Sequence, residues 1–219
     1  MLVILHCVIN MVEVISFDMD GTLIKMSFYN YLYRSLIPHM VAEKKHIDKI
    51  SALDFVEKSY ESIGCRNAKY YDLDYWIKKF KLNATKEEII QKSLHKAEVF
   101  QDAIYIIDKI SEAYDLVICS HSPEYVLIET CKLLPNKFKK IISTVSMYNG
   151  IKSKPVFLKI CNDLGINKNE LIHVGDSYEF DYFIPKSCGI KSYYLDRSGI
   201  KNRNNGFMIN SLYELDIIL

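Results

Sequence analysis

Short continuous apolar runs and longer amphipathic periods divide this chain into two kinds of territory. Val12 to Phe17 is a mainly apolar run that stops at Asp18-Met19-Asp20-Gly21-Thr22, which reads as a buried strand feeding a tight loop. Leu116-Val117-Ile118-Cys119, Leu171-Ile172-His173-Val174 and, more weakly, Lys191 to Leu195 repeat that signature, with Ile141-Ile142 a short further candidate. Helical periods separate the runs. Ser122 with Pro123 reads as an N-cap and first turn leading into Val126, Leu127 and Cys131. Phe157, Leu158, Cys161 and Leu164 keep a period near 3.6 until Gly165 offers a stop. Strands alternating with helices of this length predict an α/β fold, a Rossmann-like parallel sheet with helices on both faces.

Between Lys25 and about Phe100 the pattern changes to amphipathic helices with no convincing strand. Ala52, Phe55, Val56, Tyr60 and Ile63 run to Gly64. Leu73, Trp76, Ile77 and Phe80 follow, and Thr85 with Glu88 spells a capping box ahead of Ile89, Ile90 and Leu94. The expectation is a helical unit at 26–100 inserted into an α/β core made of 1–25 and 101–219. The polar cluster Lys201 to Gly206 reads as a surface loop, and Asn210-Ser211 as the cap of a closing helix through Leu212, Leu215 and Ile218.

Length agrees with this division: 219 residues at roughly 150 per domain suggest one domain carrying a large insertion. Twenty-eight Lys plus Arg against 27 Asp plus Glu leave a net charge of +1, so no global field draws the chain to nucleic acid or an anionic membrane. A charged ligand must meet a local cluster instead. The six cysteines are scattered, without a C-x-x-C pair, which fits reduced thiols; Cys119 and Cys161 sit in apolar stretches as small hydrophobes. The leading MLVILHCVIN lacks a basic n-region, and Asn10, Glu13 and Ser16 keep it from a membrane-spanning run, so a cytoplasmic location is expected. Met11 is expected to be the natural start, because Val12 already begins a strand.

In open α/β sheets ligands gather at the carboxyl ends of the strands. There the polar residues are Asp18 and Asp20 after the first run, Ser120 after the second, and Gly175-Asp176-Ser177 after the third, with Asp181 one helical turn on. Lys154 lies in the connection between the second and third of these sites, immediately before a helix. Four carboxylates cannot share a pocket as bare anions without large upward pKa shifts, so a divalent cation is the economical explanation. Carboxylates and a carbonyl suit Mg2+, which also takes phosphate oxygens. One carboxylate can then attack phosphorus while a second, two residues on, moves the proton.

Asp18-Met19-Asp20-Gly21-Thr22, Ser120, Lys154 and Gly175-Asp176-Ser177-x-x-x-Asp181, in this order, resemble the four motifs of the haloacid dehalogenase superfamily. By composition a D-x-D-G-T string turns up in roughly one chain in a few hundred of this length, so its pairing with G-D-S-x-x-x-D is specific. The helical insertion after the first motif is similar to the cap of the phosphoglycolate-phosphatase-like and β-phosphoglucomutase-like branches. The resemblance implies that Asp18 attacks phosphorus and that Asp20 protonates the leaving alcohol, then activates water. It implies Mg2+ held by the Asp18 carboxylate, the Asp20 carbonyl and Asp176, with Asp181 a water-linked ligand or an anchor. Ser120 and a lysine would bind phosphate. The family's lysine usually precedes Pro-x-Pro, whereas Lys152-Ser153-Lys154-Pro155 leaves two candidates, of which Lys154 is preferred. The expected activity is hydrolysis of a small phosphorylated metabolite. A phosphosugar mutase and a non-catalytic binding module are the alternatives. His173, inside a strand, reads as a satisfied core histidine; Ser120-His121 lacks an acid to orient the imidazole as a base. Phe28, Tyr29, Tyr31 and Tyr33 read as a helix-packing face rather than a pocket wall.

Overall fold

A computed structural model describes residues 12–199 and 207–219, so the expected start at Met11 and the loop at 201–206 lie outside the described residues. Six strands form one parallel sheet in the order β3-β2-β1-β4-β5-β6: β1 Val14–Phe17, β2 Asp115–Ser120, β3 Phe138–Ser143, β4 Leu171–Gly175, β5 Lys191–Leu195 and β6 Met208–Ile209. Every apolar run named from the pattern is a strand. The weaker ones, β3 and β5, carry charged or polar residues because they lie further from the centre. β1 and β4 are buried throughout, as the middle of a two-sided parallel sheet requires.

The helices are α1 Ser27–Tyr31, α2 Ile37–Lys45, α3 Lys49–Ile63, α4 Leu73–Phe80, α5 Lys86–Ser93, α6 Gln101–Ile110, α7 Glu124–Cys131, α8 Thr144–Tyr148, α9 Lys154–Leu164, α10 Ile184–Ser187 and α11 Leu215–Ile218. A π-helical stretch, Leu32–Leu36, joins α1 to α2. Local chemistry accounts for several ends. Asp48 accepts from the amides of Ile50 and Ser51 ahead of α3, Thr85 and Glu88 form the capping box of α5, and Gly165 closes α9 in the left-handed region at φ +71°. The expected cap at Ser122-Pro123 is different: Pro123 takes the cap position of α7 without a side-chain hydrogen bond, because the Ser122 hydroxyl is turned to another partner. None of the described helices is long and apolar enough to cross a membrane.

Two apolar clusters clad the sheet, one built on Ile15, Phe17, Ile118 and Val174, the other on Val117, Cys119, Phe157 and Ile160. A third belongs to α1–α5, where Phe28, Leu32, Ile37, Val56, Leu73, Trp76 and Ile89 are buried. Trp76 stacks on Phe80 with centroids 5.4 Å apart, meets Tyr60 edge-on and donates Nε1–H to the Tyr70 carbonyl at 2.9 Å. The helical unit leaves and rejoins the sheet through two adjacent passages. Ile24 and Val99 form an antiparallel bridge, the Lys25 amide donates to the Glu98 carbonyl at 2.8 Å, and the Phe100 amide donates to Leu23 at 3.0 Å. Trp76→Ala should cost about 3–5 kcal/mol in denaturant unfolding, the range for emptying a buried aromatic site.

Candidate active site

The strand order changes direction at β1: the chain moves outward through β2 and β3, then returns to place β4 on the other side. Crevices open at such switch points, at the carboxyl ends of the strands. Phe17 is paired with Ile118 of β2 and Val174 of β4, so Asp18 emerges level with Cys119 and Gly175. Asp18, Asp20, Ser120, Asp176 and Asp181 all line one cavity of about 270 Å³.

The loop after β1 is folded tightly on itself. The Asp18 amide donates to Val174 at 2.9 Å, and the Met19 carbonyl receives the amides of Thr22, Leu23 and Ile24. Gly21 is at φ +83°, and a Cβ there would stand 2.2 Å from Asp176 Oδ2. Gly175 serves Asp181 similarly, a Cβ being 2.4 Å from its Cγ. Both glycines are needed for close approach of a carboxylate.

The lysine reading is corrected. Lys154 is the exposed first residue of α9 and does not line the cavity, because the helix begins there and carries its side chain outward. Lys152, two residues earlier in extended chain, is buried and enters the site, its Nζ 2.5 Å from both Asp18 Oδ1 and Asp181 Oδ1. Its backbone amide donates to His121 Nε2 at 2.7 Å, which makes His121 a neutral acceptor at that nitrogen. Burial pushes the His121 pKa down to about 3, with the Lys152 charge acting in the same direction.

Asp181 is an anchor inside this network. Its Oδ1 also meets His173 Nε2 at 3.0 Å, and its Oδ2 accepts the Ser177 amide at 2.9 Å. His173 in turn contacts the Ser16 hydroxyl through Nδ1 at 2.6 Å, and these two residues face each other in the β1–β4 register. The histidine is a satisfied core residue, as the sequence suggests, and it also holds an acid of the site. Although burial opposes it, Lys152 and the hydrogen bond from His173 hold the Asp181 carboxyl well below the usual range.

One ammonium cannot balance three carboxylates. Burial pushes Asp18 well above its ordinary value against the pull of Lys152, with the charges of Asp181 and Asp176 adding to the rise. Burial and the Asp181 charge raise Asp176 to about 7. Carboxylate oxygens of Asp18, Asp176 and Asp181 lie within 4.8 Å of one another. Such a donor set, all hard oxygen and short of positive charge, fits a divalent cation at Asp18 and Asp176, since both Asp181 oxygens are already engaged. Asp20 stands beside this cluster. Its Oδ2 accepts the Ser122 hydroxyl at 2.7 Å, and its Oδ1 is buried without a hydrogen-bond partner among the described residues. Burial raises its pKa, only partly opposed by Ser122 and Lys152.

Sequence reasoning missed Ser122 and His121 as site residues; their position beside Ser120, directly after a strand, was the available signal. Tyr29, read as packing, does pack against the helical cluster and also lines the cavity, together with Tyr70, Tyr71 and Phe180. Tyr71 and Phe180 each meet the His121 ring at a centroid distance of 4.8 Å.

The model for haloacid dehalogenase-like hydrolases matches residues 15–194, from β1 into β5. The chain belongs to that family. It is similar to the crystal structure of a haloacid dehalogenase (HAD) phosphatase from Thermococcus onnurineus, with TM-score 0.82 and 26% identity over 94% of this chain and 97% of that one. The fold is shared with the putative HAD-hydrolase YfnB from Bacillus subtilis, solved bound to magnesium, at TM-score 0.67 and 17% identity over 95% and 99% of the two chains. A 72-residue stretch is 29% identical to GMP/IMP nucleotidase YrfG of Escherichia coli, covering 33% of this chain and 32% of that protein. As a haloacid dehalogenase-like hydrolase, the protein is a hydrolytic enzyme. Lys152→Met should lower hydrolytic turnover by about 10²–10³-fold, as for loss of a preorganised charge. Lys154→Ala should leave turnover within about twofold, as for a surface change; steady-state assays of the two variants side by side check the assignment.

Proposed function

We propose that the protein is a magnesium-dependent phosphatase that hydrolyses a small phosphomonoester through an aspartyl-phosphate on Asp18. The observation that carries this reading is the pair of aspartates two residues apart that line one cavity, one bound to Lys152 and the other with a buried oxygen that has no hydrogen-bond partner among the described residues. A carboxylate displacing halide from carbon needs no companion acid, whereas an ester oxygen leaving phosphorus needs a proton.

In the first step an Asp18 oxygen forms a bond to phosphorus as the ester P–O bond breaks, and Asp20 gives its proton to the departing alkoxide. Asp20 is suited to carry that proton because burial raises its pKa. In the second step water attacks the acyl phosphate while Asp20 takes a proton back, releasing inorganic phosphate and restoring Asp18. Lys152 and Ser120 hold phosphoryl oxygens, where developing charge is stabilised most. Asp18, the Asp20 carbonyl and Asp176 would hold magnesium, which supplies charge to the phosphoryl group; Asp181 fixes Lys152 and the Ser177 amide around them.

The alcohol half of the substrate would face Tyr29, Tyr70 and Tyr71. A second cavity of about 460 Å³ shares Tyr29, Cys65 and Tyr70 with the first and adds Tyr33, Tyr60 and Arg34. Aromatic faces of this kind stack well on planar groups. With the partial similarity to GMP/IMP nucleotidase, that makes purine nucleoside monophosphates the first substrates to test.

Asp18→Asn should abolish phosphate release by more than the ~10³-fold expected of a purely electrostatic contributor, with the fold retained. Near-normal turnover would overturn the nucleophile. EDTA should silence the wild-type enzyme and added magnesium restore it; activity that persists in chelator would remove the metal.

A further inference from the structure

We propose that Arg197 is a positioning residue that aims Asp20 by holding the Gly21 and Thr22 carbonyls just after it in the loop; this rests on the phosphatase reading above. The loop's own hydrogen bonds converge on the Met19 carbonyl and on the Gly21 amide, which donates to Ile24 at 2.7 Å. The Gly21 and Thr22 carbonyls point away from these, and the Arg197 guanidinium takes both, Nε donating to Gly21 at 3.2 Å and Nη2 to Thr22 at 2.6 Å. Met19 holds the N–H ends of these two peptide groups through the Thr22 and Leu23 amides, and Arg197 holds their carbonyl ends, so the chain leaving Gly21, at φ +83° where a glycine has little steric restraint of its own, is fixed from both sides.

Arg197 is itself held on every side. Nη1 and Nη2 donate to the two oxygens of Asp102 at 2.9 and 3.1 Å, and the guanidinium carbon lies 3.6 Å from the Phe100 ring centroid. Asp102 is buried, and its Oδ2 also accepts the Ser211 hydroxyl and the Leu212 amide, both at 2.8 Å. The fork thus ties the aspartate loop to the start of α6, where the helical unit rejoins the sheet, and to the chain after β6. A lysine, with one compact charge, cannot span two carbonyls and a carboxylate in a plane.

The test reads proton delivery rather than stability. Arg197→Lys, Arg197→Met and Asp102→Asn are compared with wild type in kcat/KM for p-nitrophenyl phosphate, phenyl phosphate and an alkyl phosphate. That parameter covers only steps through departure of the alcohol, and the acidic phenol leaves with little help while the alkoxide needs the Asp20 proton. Thermal melts by circular dichroism confirm that the variants are folded, and Asp102→Asn provides the test should an Arg197 variant not fold. The expected result is a loss about 10- to 100-fold larger for the alkyl ester than for p-nitrophenyl phosphate, the scale of a misplaced catalytic group. Equal losses across the three esters, or no loss, would overturn the assignment of Arg197. A wild-type enzyme that releases phosphate from none of them would instead overturn the phosphatase reading itself.

Discussion

A single buried ammonium governs the carboxyl edge of this sheet. Lys152 lies 2.5 Å from two carboxylates that belong to different motifs, and a third acid stands within reach of both. Isolated, each of these charges would be expensive to bury; together they are tolerable only because their geometry is imposed from outside. His121 fixes the lysine's backbone, His173 fixes Asp181, and two glycines let Asp176 and Asp181 come close enough. Burial, joined by the charges of the neighbouring carboxylates, pushes Asp18 and Asp176 upward, and that shortage of positive charge suits a divalent cation.

The helical unit completes the site from the other side. Its own buried cluster packs the segments from which Tyr29, Tyr70 and Tyr71 reach the cavity, while Lys25 and Glu98 bring its two passages together. The acids of the core and the aromatic wall of the cavity therefore come from different parts of the chain, joined next to the loop that carries Asp18 and Asp20. Leu73 and Tyr125 link the two parts directly, through an amide donated to the tyrosine oxygen at 3.1 Å.

Much of this was legible before any coordinates. Each buried parallel strand needs a continuous apolar run, and residues directly after such runs must gather at one edge, so Asp18, Asp20, Ser120, Asp176 and Asp181 could be grouped in advance. The capping box at Thr85 and the stop at Gly165 are local hydrogen-bond and backbone effects, readable from a few neighbouring residues. Ser122 was misread and the cavity side of Tyr29 missed, because a serine before proline looks alike as a cap or a site residue, and an aromatic on a helix looks alike whether it only packs or also lines a cavity.

By itself, then, the chain's pattern determined the sheet, the helices between its first two strands and the convergence of acids, because those follow from continuous apolar runs, from a period near 3.6 and from strand ends. Only tertiary structure decided between Lys152 and Lys154, since both are two residues or fewer from the start of α9 and the choice depends on where that helix begins. It alone brought Arg197 to Gly21, Thr22 and Asp102, each at least 95 positions away from it. Contacts at that separation have no local signature: they exist because β5 lies beyond β4 in the sheet and its end reaches back to the loop after β1.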